Sequence, residues 1–207
     1  MIRTKKELEF YIMADRIMNG LPYKESLKEN IKIRLTNTPI LIDYLKYMRK
    51  YSYYKNQKGF LNKLLAVYYM RKYNGLELEL NIHINESVFG YGLLVPHNCS
   101  LRIGAKNSIG NFAVIQSQTF MTASNCIIGD GFYLAIGAKV IGPLTLGDNV
   151  SVAANSLVRK SCGSNVLLAG SPAVIKKDNY PAWYERDGVQ YTERVKRVEE
   201  LKKQMSI

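Results

Sequence analysis

The sequence contains two histidines, His83 and His97, which are its strongest candidates for chemistry at neutral pH. An imidazole titrates in that range and can accept the proton of a hydroxyl that attacks an acyl group. Two histidines are too few for a zinc site that needs three. The cysteines, Cys99, Cys126 and Cys162, are odd in number and have no CxxC spacing, which disfavours a zinc knuckle and a disulfide framework. We therefore expect general-base chemistry, buried reduced thiols and no metal.

Positive charge is concentrated at the start of the chain. Of the formal net charge of +12, residues 1–75 carry +10, from sixteen Lys and Arg against six Asp and Glu. Ten of the 15 tyrosines lie in the same segment. This asymmetry indicates an anionic partner, with a membrane surface and an anionic polysaccharide as candidates beside a simple solvated helical face. No nucleic-acid motif is present, so we expect no nucleic-acid partner.

The compartment is predicted from what the sequence lacks. No run of eighteen apolar residues occurs, and no apolar segment follows the basic N-terminus as a signal peptide requires. These features predict a cytoplasmic protein, with peripheral contact at the inner face of the membrane as a further candidate.

Helical periodicity dominates the first 75 residues. Apolar side chains recur every three or four positions, with breaks at Asn19-Gly20-Leu21-Pro22, at Thr36 to Pro39 and at Asn74-Gly75. The pattern predicts helices over 7–18, 24–34, 40–54 and 60–73. Near the other end, Thr192 is a candidate N-cap for a last amphipathic helix. Residues 1–75 thus form a basic α-helical domain, and residues 177–207 form a tail with one helix.

Between residues 76 and 176 a period of six replaces the helical period. Aliphatic side chains recur at this spacing, and most are followed by Gly or Ala. They form two runs, and one extra residue between Ile115 and Ile128 shifts the period: Ile103, Ile109 and Ile115, then Ile128, Leu134, Val140, Leu146, Val152 and Val158. Six residues make one short strand and one turn, and three such units make a triangular coil of about eighteen residues. The aliphatics point inward, and small residues fill the corners. The segment is predicted to be a left-handed parallel β-helix.

Several motifs resemble the hexapeptide-repeat acyltransferase superfamily. Within it, the order of helices and β-helix is similar to serine acetyltransferase and to the serine-acetyltransferase-like proteins of bacterial capsule and O-antigen synthesis. The likeness covers about residues 80–176 and depends on four segments: Val88 to His97, Gly137 to Gly142, Ala154 to Val158, and Ala169-Gly170-Ser171-Pro172-Ala173. The resemblance implies an acetyltransferase that moves an acetyl group from acetyl-CoA to a hydroxyl.

The resemblance also implies roles for the histidines. His97 matches the position of the catalytic base, whereas His83 matches a histidine near the first coil that we interpret as structural. The aspartate that orients the imidazole in serine acetyltransferase falls near Asn81, which carries no charge to stabilise imidazolium. Glu86 is a candidate replacement.

Two departures concern the acceptor. Pro96 stands where serine acetyltransferase has an aspartate before the catalytic histidine, and the stretch 120–126 lacks the Arg and second His of the family's serine-binding loop. An Arg fork is the usual clamp for a carboxylate. The departures favour a larger acceptor, a sugar or polysaccharide hydroxyl, over L-serine, and an amino sugar stays open.

Eight residues are implied to bind acetyl-CoA. The small residues line the groove for the pantetheine arm or close it, and the cations are candidates for the phosphates: Ala135, Ala153, Ala154, Gly170 and Ser171, then Arg159, Lys160 and Lys176. In the family this groove lies between two chains, so the resemblance implies a homotrimer.

Three other functions were weighed against the sugar O-acetyltransferase. Serine O-acetyltransferase is the alternative within the same class, and a catalytically silent β-helix scaffold is the alternative from another class. A γ-class carbonic anhydrase shares the fold but needs three zinc-binding histidines, which this sequence does not have.

Overall fold

The structure, a computed structural model, describes residues 2–23, 39–96, 100–122 and 124–207. The helix predicted over 24–34, the candidate base His97, and Cys99 lie outside these residues. Among the described residues, two helices precede a third that leads into the β-helix, and two more follow it: α1 (Lys5–Met18), α2 (Pro39–Tyr54), α3 (Phe60–Leu80), α4 (Trp183–Arg186) and α5 (Val189–Gln204). Within the described residues, no helix is long and apolar enough to cross a bilayer.

The segment with the six-residue period forms a parallel β-helix of about 5 turns, as predicted. Its thirteen strands are short: β1 (Ile82–Ile84), β2 (Leu101–Ile103), β3 (Ser108–Ile109), β4 (Val114–Ile115), β5 (Thr119–Met121), β6 (Ile127–Ile128), β7 (Tyr133–Leu134), β8 (Lys139–Val140), β9 (Thr145–Leu146), β10 (Ser151–Val152), β11 (Leu157–Val158), β12 (Leu167–Gly170) and β13 (Ala173–Lys177). Every pair is parallel except β12 with β13, which form a closing hairpin.

The strands make three flat sheets around a triangular core. The first sheet has the order β1-β2-β5-β8-β11, the second β3-β6-β9, and the third β4-β7-β10-β12-β13. On the first sheet one inward side chain per coil stacks on the next, and all are buried: Ile84, Ile103, Met121, Val140 and Val158. Met121 continues the six-residue step after Ile115, so the extra residue of the period lies between Met121 and Ile128.

Glycines stack at the corner between the second and third sheets. A Cβ atom on Gly129 would lie 2.1 Å from Asp148 Oδ1 and 2.8 Å from the Asp148 backbone nitrogen. A Cβ atom on Gly110 would meet Asp130 in the same way, and one on Gly147 would lie 2.4 Å from Ser164 Oγ. The small residues of the repeat are therefore required here by close contact between successive coils.

Gly129→Ala is expected to lower the free energy of unfolding by about 1–3 kcal/mol, since the added methyl group overpacks a corner made of backbone. The measurement is denaturant unfolding at one fixed protein concentration. Gly163→Ala is the matched control, because a Cβ on Gly163 would meet no atom within 4 Å. Equal stability of the two variants would contradict a packing role for the glycine stack.

Helix α3 corrects the prediction that Asn74-Gly75 ends the helix. It runs on to Leu80 and ends at Asn81, whose left-handed backbone (φ 52°, ψ 40°) lets its N–H donate to Glu77 O. Tyr73 and Leu80 are buried in the core, and this packing outweighs the helix cost of one glycine, about 1 kcal/mol. The helix thus crosses the boundary drawn at residue 75, and the division into domains stays a prediction.

The two ends of the chain pack together on the β-helix. Helices α1 and α5 share a buried cluster with coil residues such as Tyr91 and Phe112. Trp183 is buried there and donates its indole N–H to Phe112 O at 2.8 Å. The predicted cap Thr192 is wrong: α5 begins at Val189, and the Thr192 hydroxyl instead donates to Tyr184 O at 2.6 Å. This bond joins α4 to α5.

Candidate functional site

The corner between the third and first sheets collects most of the residues expected to bind acetyl-CoA. Ala135 follows β7, and Ala153 and Ala154 follow β10 on the next coil. Backbone bonds hold this stack in register: Ala135 N–H donates to Val152 O at 3.0 Å, and Ala153 N–H donates to Leu168 O at 2.8 Å. Ala154 is exposed, so this edge of the β-helix is open and free of bulky side chains at these positions.

The closing hairpin reaches the same corner. The backbone N–H of Gly170 donates to Ser156 Oγ at 3.1 Å, and the Ser156 N–H donates to Ala153 O at 3.3 Å. Gly170 adopts φ +108°, a backbone conformation that favours glycine. Gly170 and Ser171 are exposed beside the alanines. The structure therefore brings five of the eight predicted residues to one edge.

The three predicted phosphate-binding cations are exposed on the last coil and the closing hairpin, but none of them lies at that corner. Arg159 and Lys160 directly follow β11, the last strand of the first sheet, and Lys176 lies on β13. Strand β11 contacts both strands of the closing hairpin. The cations thus belong to the same end of the β-helix as the closing turn.

The first coil reaches this corner at Pro96, one residue before the candidate base His97. Leu94 forms a parallel bridge with Val114, and Ile115 N–H donates to Leu94 O at 3.1 Å, which continues the third sheet up to Pro96. His97 itself lies outside the described residues, so its role as base stays a prediction.

The two candidates for orienting the base lie at different corners. Asn81 O accepts from Leu101 N–H at 3.3 Å. Asn81 therefore lies beside the start of β2, where the chain passes from the corner of Pro96 into the first sheet. Glu86 follows β1 and so lies at the next corner. It is buried, and its Oε1 accepts from Lys55 Nζ at 2.7 Å. This hydrogen bond raises the pKa of the Lys55 ammonium. Asn81 and Glu86 thus lie at different corners, and which of them orients the base stays a prediction.

His83 is an exposed side chain and not part of the core. Its Nδ1 lies 3.2 Å from Glu77 Oε2, at the junction of α3 and β1. The buried Tyr44 hydroxyl also reaches Glu77, at 3.2 Å from Oε1, and the Tyr73 hydroxyl donates to Ile84 O. His83 thus contacts Glu77 at the edge of this cluster, and its structural role stays a prediction.

The stretch 120–126 starts on β5 and ends at the residue before β6. Asn107 holds it, because its side chain donates to Thr122 O at 2.8 Å and accepts from Cys126 N–H at 3.0 Å. Cys126 is buried, as expected of a reduced thiol, whereas Cys162 is only partly buried, against the prediction. The structure describes every residue of the stretch except Ala123, and the sequence there offers neither Arg nor His for a carboxylate. Elsewhere in the described part of the chain, no group of three or more metal-binding side chains is found.

A buried polar cluster that the sequence patterns did not predict lies beneath the segment that leads to His97. Arg49 Nε donates to Asp15 Oδ2 at 2.8 Å, and both side chains are almost fully buried. Asp15 Oδ1 also accepts from Leu93 N–H at 2.9 Å, while Arg49 donates to the carbonyls of Phe89 and Gly90. Asp15 falls on the apolar stripe of α1, and that position was the available signal.

Asn19 completes this contact with the first coil. Its side-chain amide donates to Leu93 O at 2.8 Å, and its Oδ1 accepts from Val95 N–H at 3.4 Å. The pair and Asn19 together fix the backbone of 89–95, which we call the clamp on the first coil. The clamp holds the segment that leads to Pro96.

Comparison with known proteins finds related sequences but no matching family profile. A serine acetyltransferase of Staphylococcus xylosus is 30% identical over 135 residues, which cover 60% of this chain and 59% of that protein. One from Staphylococcus aureus strain Mu50 is 28% identical over 131 residues, at 59% of each chain. The bifunctional protein GlmU of a Psychrobacter strain is 26% identical over 102 residues, which cover 48% of this chain and 22% of that protein. The match spans 59% of the length of the serine acetyltransferases.

Solved structures show the same fold. Neisseria gonorrhoeae serine acetyltransferase superposes with a TM-score of 0.61 at 17% identity, over 86% of this chain and 68% of that one. A serine acetyltransferase in complex with CoA superposes with a TM-score of 0.52 at 19% identity, over 81% of this chain and 84% of that one. The fold is that of serine acetyltransferase, and the relatives support the resemblance to the hexapeptide-repeat acyltransferase superfamily.

Proposed function

We propose that this chain, with the β-helix of the hexapeptide-repeat acyltransferases, is an acetyl-CoA-dependent O-acetyltransferase. The observation that carries the proposal is the open corner where Ala135, Ala153, Ala154, Gly170 and Ser171 lie together. Small side chains allow a ligand to approach the backbone closely, as an extended pantetheine arm requires. The match to serine acetyltransferases and the fold shared with a CoA complex support the same donor.

In the proposed reaction His97 is the general base. It takes the proton of the acceptor hydroxyl as the oxygen attacks the thioester carbonyl, and the C–O bond forms. The tetrahedral intermediate then collapses, the C–S bond breaks, and the thiolate of CoA takes the proton back from the imidazolium. Products are the acetyl ester and free CoA, so the reaction balances with no other reactant.

L-serine is the first acceptor to consider. The relatives matched by sequence are named serine acetyltransferases, and one solved structure with this fold is a complex with serine, at a TM-score of 0.58 and 18% identity. These matches favour L-serine, the alternative acceptor, over the sugar acceptor, for which the comparisons give no support.

A sugar hydroxyl stays the second candidate because of one specific observation. The stretch 120–126 has no Arg or His, so it offers no cation for a serine carboxylate. A neutral sugar needs no such clamp. L-serine as acceptor therefore requires another cation of the chain to hold its carboxylate, whereas a neutral sugar does not.

The deciding experiment measures release of the CoA thiol from acetyl-CoA with L-serine and with a panel of sugars and nucleotide sugars. Turnover with L-serine would assign a serine O-acetyltransferase, and turnover with a sugar alone would assign the second candidate. Failure to bind acetyl-CoA in a calorimetric titration would reject both in favour of a non-catalytic scaffold.

Ala154→Phe is expected to raise the KM for acetyl-CoA about tenfold or more, since the ring fills the open corner. Stability should change little, because Ala154 is exposed. Ile127→Phe is the matched control on the second sheet, where Ile127 is exposed. Steady-state kinetics over a range of acetyl-CoA concentrations measure both variants. An unchanged KM in Ala154→Phe would place the donor elsewhere.

The proposed assembly is a homotrimer, because a groove for acetyl-CoA between β-helices needs two chains. Light scattering coupled to size-exclusion chromatography measures the mass of the assembly directly. A monomer that turns over acetyl-CoA would contradict a site shared between chains.

A further inference from the structure

The first half of α3 carries a large apolar surface on its outer side. Phe60 and Leu61 are each 74% exposed, Leu64 and Tyr68 are each 51% exposed, and Val67 is 48% exposed. We call these five residues the apolar face of α3. A helix on the outside of a water-soluble protein normally presents polar side chains there, so a continuous patch of this kind marks an interaction surface.

Helical geometry explains why the patch is continuous. At 3.6 residues per turn, residues 60, 64, 67 and 68 fall on one side of the helix. The opposite side is anchored, because Tyr73 and Leu80 are buried in the core shared with the β-helix. The apolar face therefore points away from the protein.

A rim of cations surrounds this face. Between residues 55 and 76 the sequence contains five Lys and Arg and no Asp or Glu. Lys63 lies on one flank of the patch and Lys72 lies on the other. Lys58 precedes the helix, and Arg71 lies one helical turn after Val67. All four are exposed. The fifth, Lys55, pairs with Glu86 and is not part of the rim.

Charge decides which partner fits. A second copy placed face to face would bring two such rims together, in which four cations outnumber the neighbouring carboxylates Asp43 and Glu79, and like charges in excess repel. The chain's own residues 24–38 hold four Lys and Arg against two Glu, so they also have a net positive charge. An anionic bilayer attracts the rim and accepts the apolar side chains at the same time.

We propose that the apolar face of α3 and its basic rim dock the protein on an anionic phospholipid surface. The helix lies in the interface and does not span the bilayer. Phe60, Leu61 and Leu64 enter the acyl boundary, and Tyr68, with an apolar ring and a polar tip, lies at headgroup level. The rim lysines extend along the patch with their ammonium groups among the phosphates.

The test is sedimentation of the full chain with vesicles of phosphatidylcholine alone and of phosphatidylcholine with about one third phosphatidylserine. Wild type is expected to bind the mixed vesicles, to bind the neutral ones far more weakly, and to be released by raised ionic strength. Phe60→Gln/Leu64→Gln should weaken binding about tenfold or more. Lys63→Gln/Lys72→Gln should weaken it about fivefold per cation.

The control variant is Val189→Gln/Ile127→Gln, which removes exposed apolar side chains outside α3 and should bind like wild type. All substituted side chains are exposed, and circular dichroism confirms that each variant is folded. Absence of wild-type binding to the mixed vesicles would overturn the proposal, as would equal binding to neutral vesicles or unchanged binding in both α3 variants. Self-association that Phe60→Gln/Leu64→Gln abolishes, without vesicle binding by wild type, would assign the face to a second copy.

Discussion

His97→Ala is expected to lower kcat for acetyl transfer by about 100- to 10,000-fold, the range for loss of a positioned general base. The reason is chemical: a hydroxyl is a weak nucleophile until a base takes its proton as the C–O bond forms. The KM for acetyl-CoA should change little, because the donor is expected to bind along the corner of Ala135, Ala153 and Ala154. Thiol release under saturating acetyl-CoA measures the effect.

The chain supplies a matched control for this prediction, since His83 is the other histidine. His83 is exposed and lies against Glu77, so His83→Ala should keep kcat close to that of wild type. Added imidazole should partly restore His97→Ala, which a merely structural loss would not show. Full activity in His97→Ala, or equal losses in the two variants, would reject His97 as the base.

Asp15→Asn is expected to lower the free energy of unfolding by about 3 kcal/mol or more. The substitution leaves the Arg49 guanidinium buried without a countercharge, and breaking one partner of a buried ion pair costs about 3–5 kcal/mol. The side chains of Arg49 and Asp15 are 1% and 3% exposed, so water does little to replace the lost charge. Denaturant unfolding at fixed protein concentration measures the change.

Glu9→Gln is the control on the same helix, because Glu9 is exposed and its neutralisation should change stability by no more than about 0.5 kcal/mol. The clamp predicts a second effect. Asp15 and Asn19 hold the backbone of Leu93 and Val95, so a folded Asp15→Asn enzyme should lose kcat as well. Stability equal to that of Glu9→Gln would show that the buried pair does not stabilise the fold.

The β-helix follows from local sequence alone. An aliphatic every sixth residue, followed by a small residue, can be buried in one way only, by short strands stacked coil on coil. The same regularity predicted the small-residue corner, since Ala135 and Ala153 occupy equivalent places on neighbouring coils. The repeat thus predicted the fold and its small-residue corners, while the assignment of this corner to acetyl-CoA came from the resemblance to the hexapeptide-repeat acyltransferases.

Other features depend on residues far apart in the chain. Gly75 is a helix breaker by local rules, and only the burial of Tyr73 and Leu80 against the β-helix carries α3 past it. Thr192 matches a helix cap, yet its hydroxyl bonds to Tyr184 O instead. Local preferences of about 1 kcal/mol yield to packing that no short window of sequence contains.

The sequence by itself determined the repeat, its corners, the two histidines and the basic N-terminal segment. Only the tertiary structure decided that Asp15 and Arg49 pair across 34 positions beneath the first coil, and that Asn81 rather than Glu86 lies at the corner of Pro96. A periodic pattern reports burial, because each repeat sees the same surroundings. A polar contact between distant residues has no period, so it becomes visible only when the chain has folded.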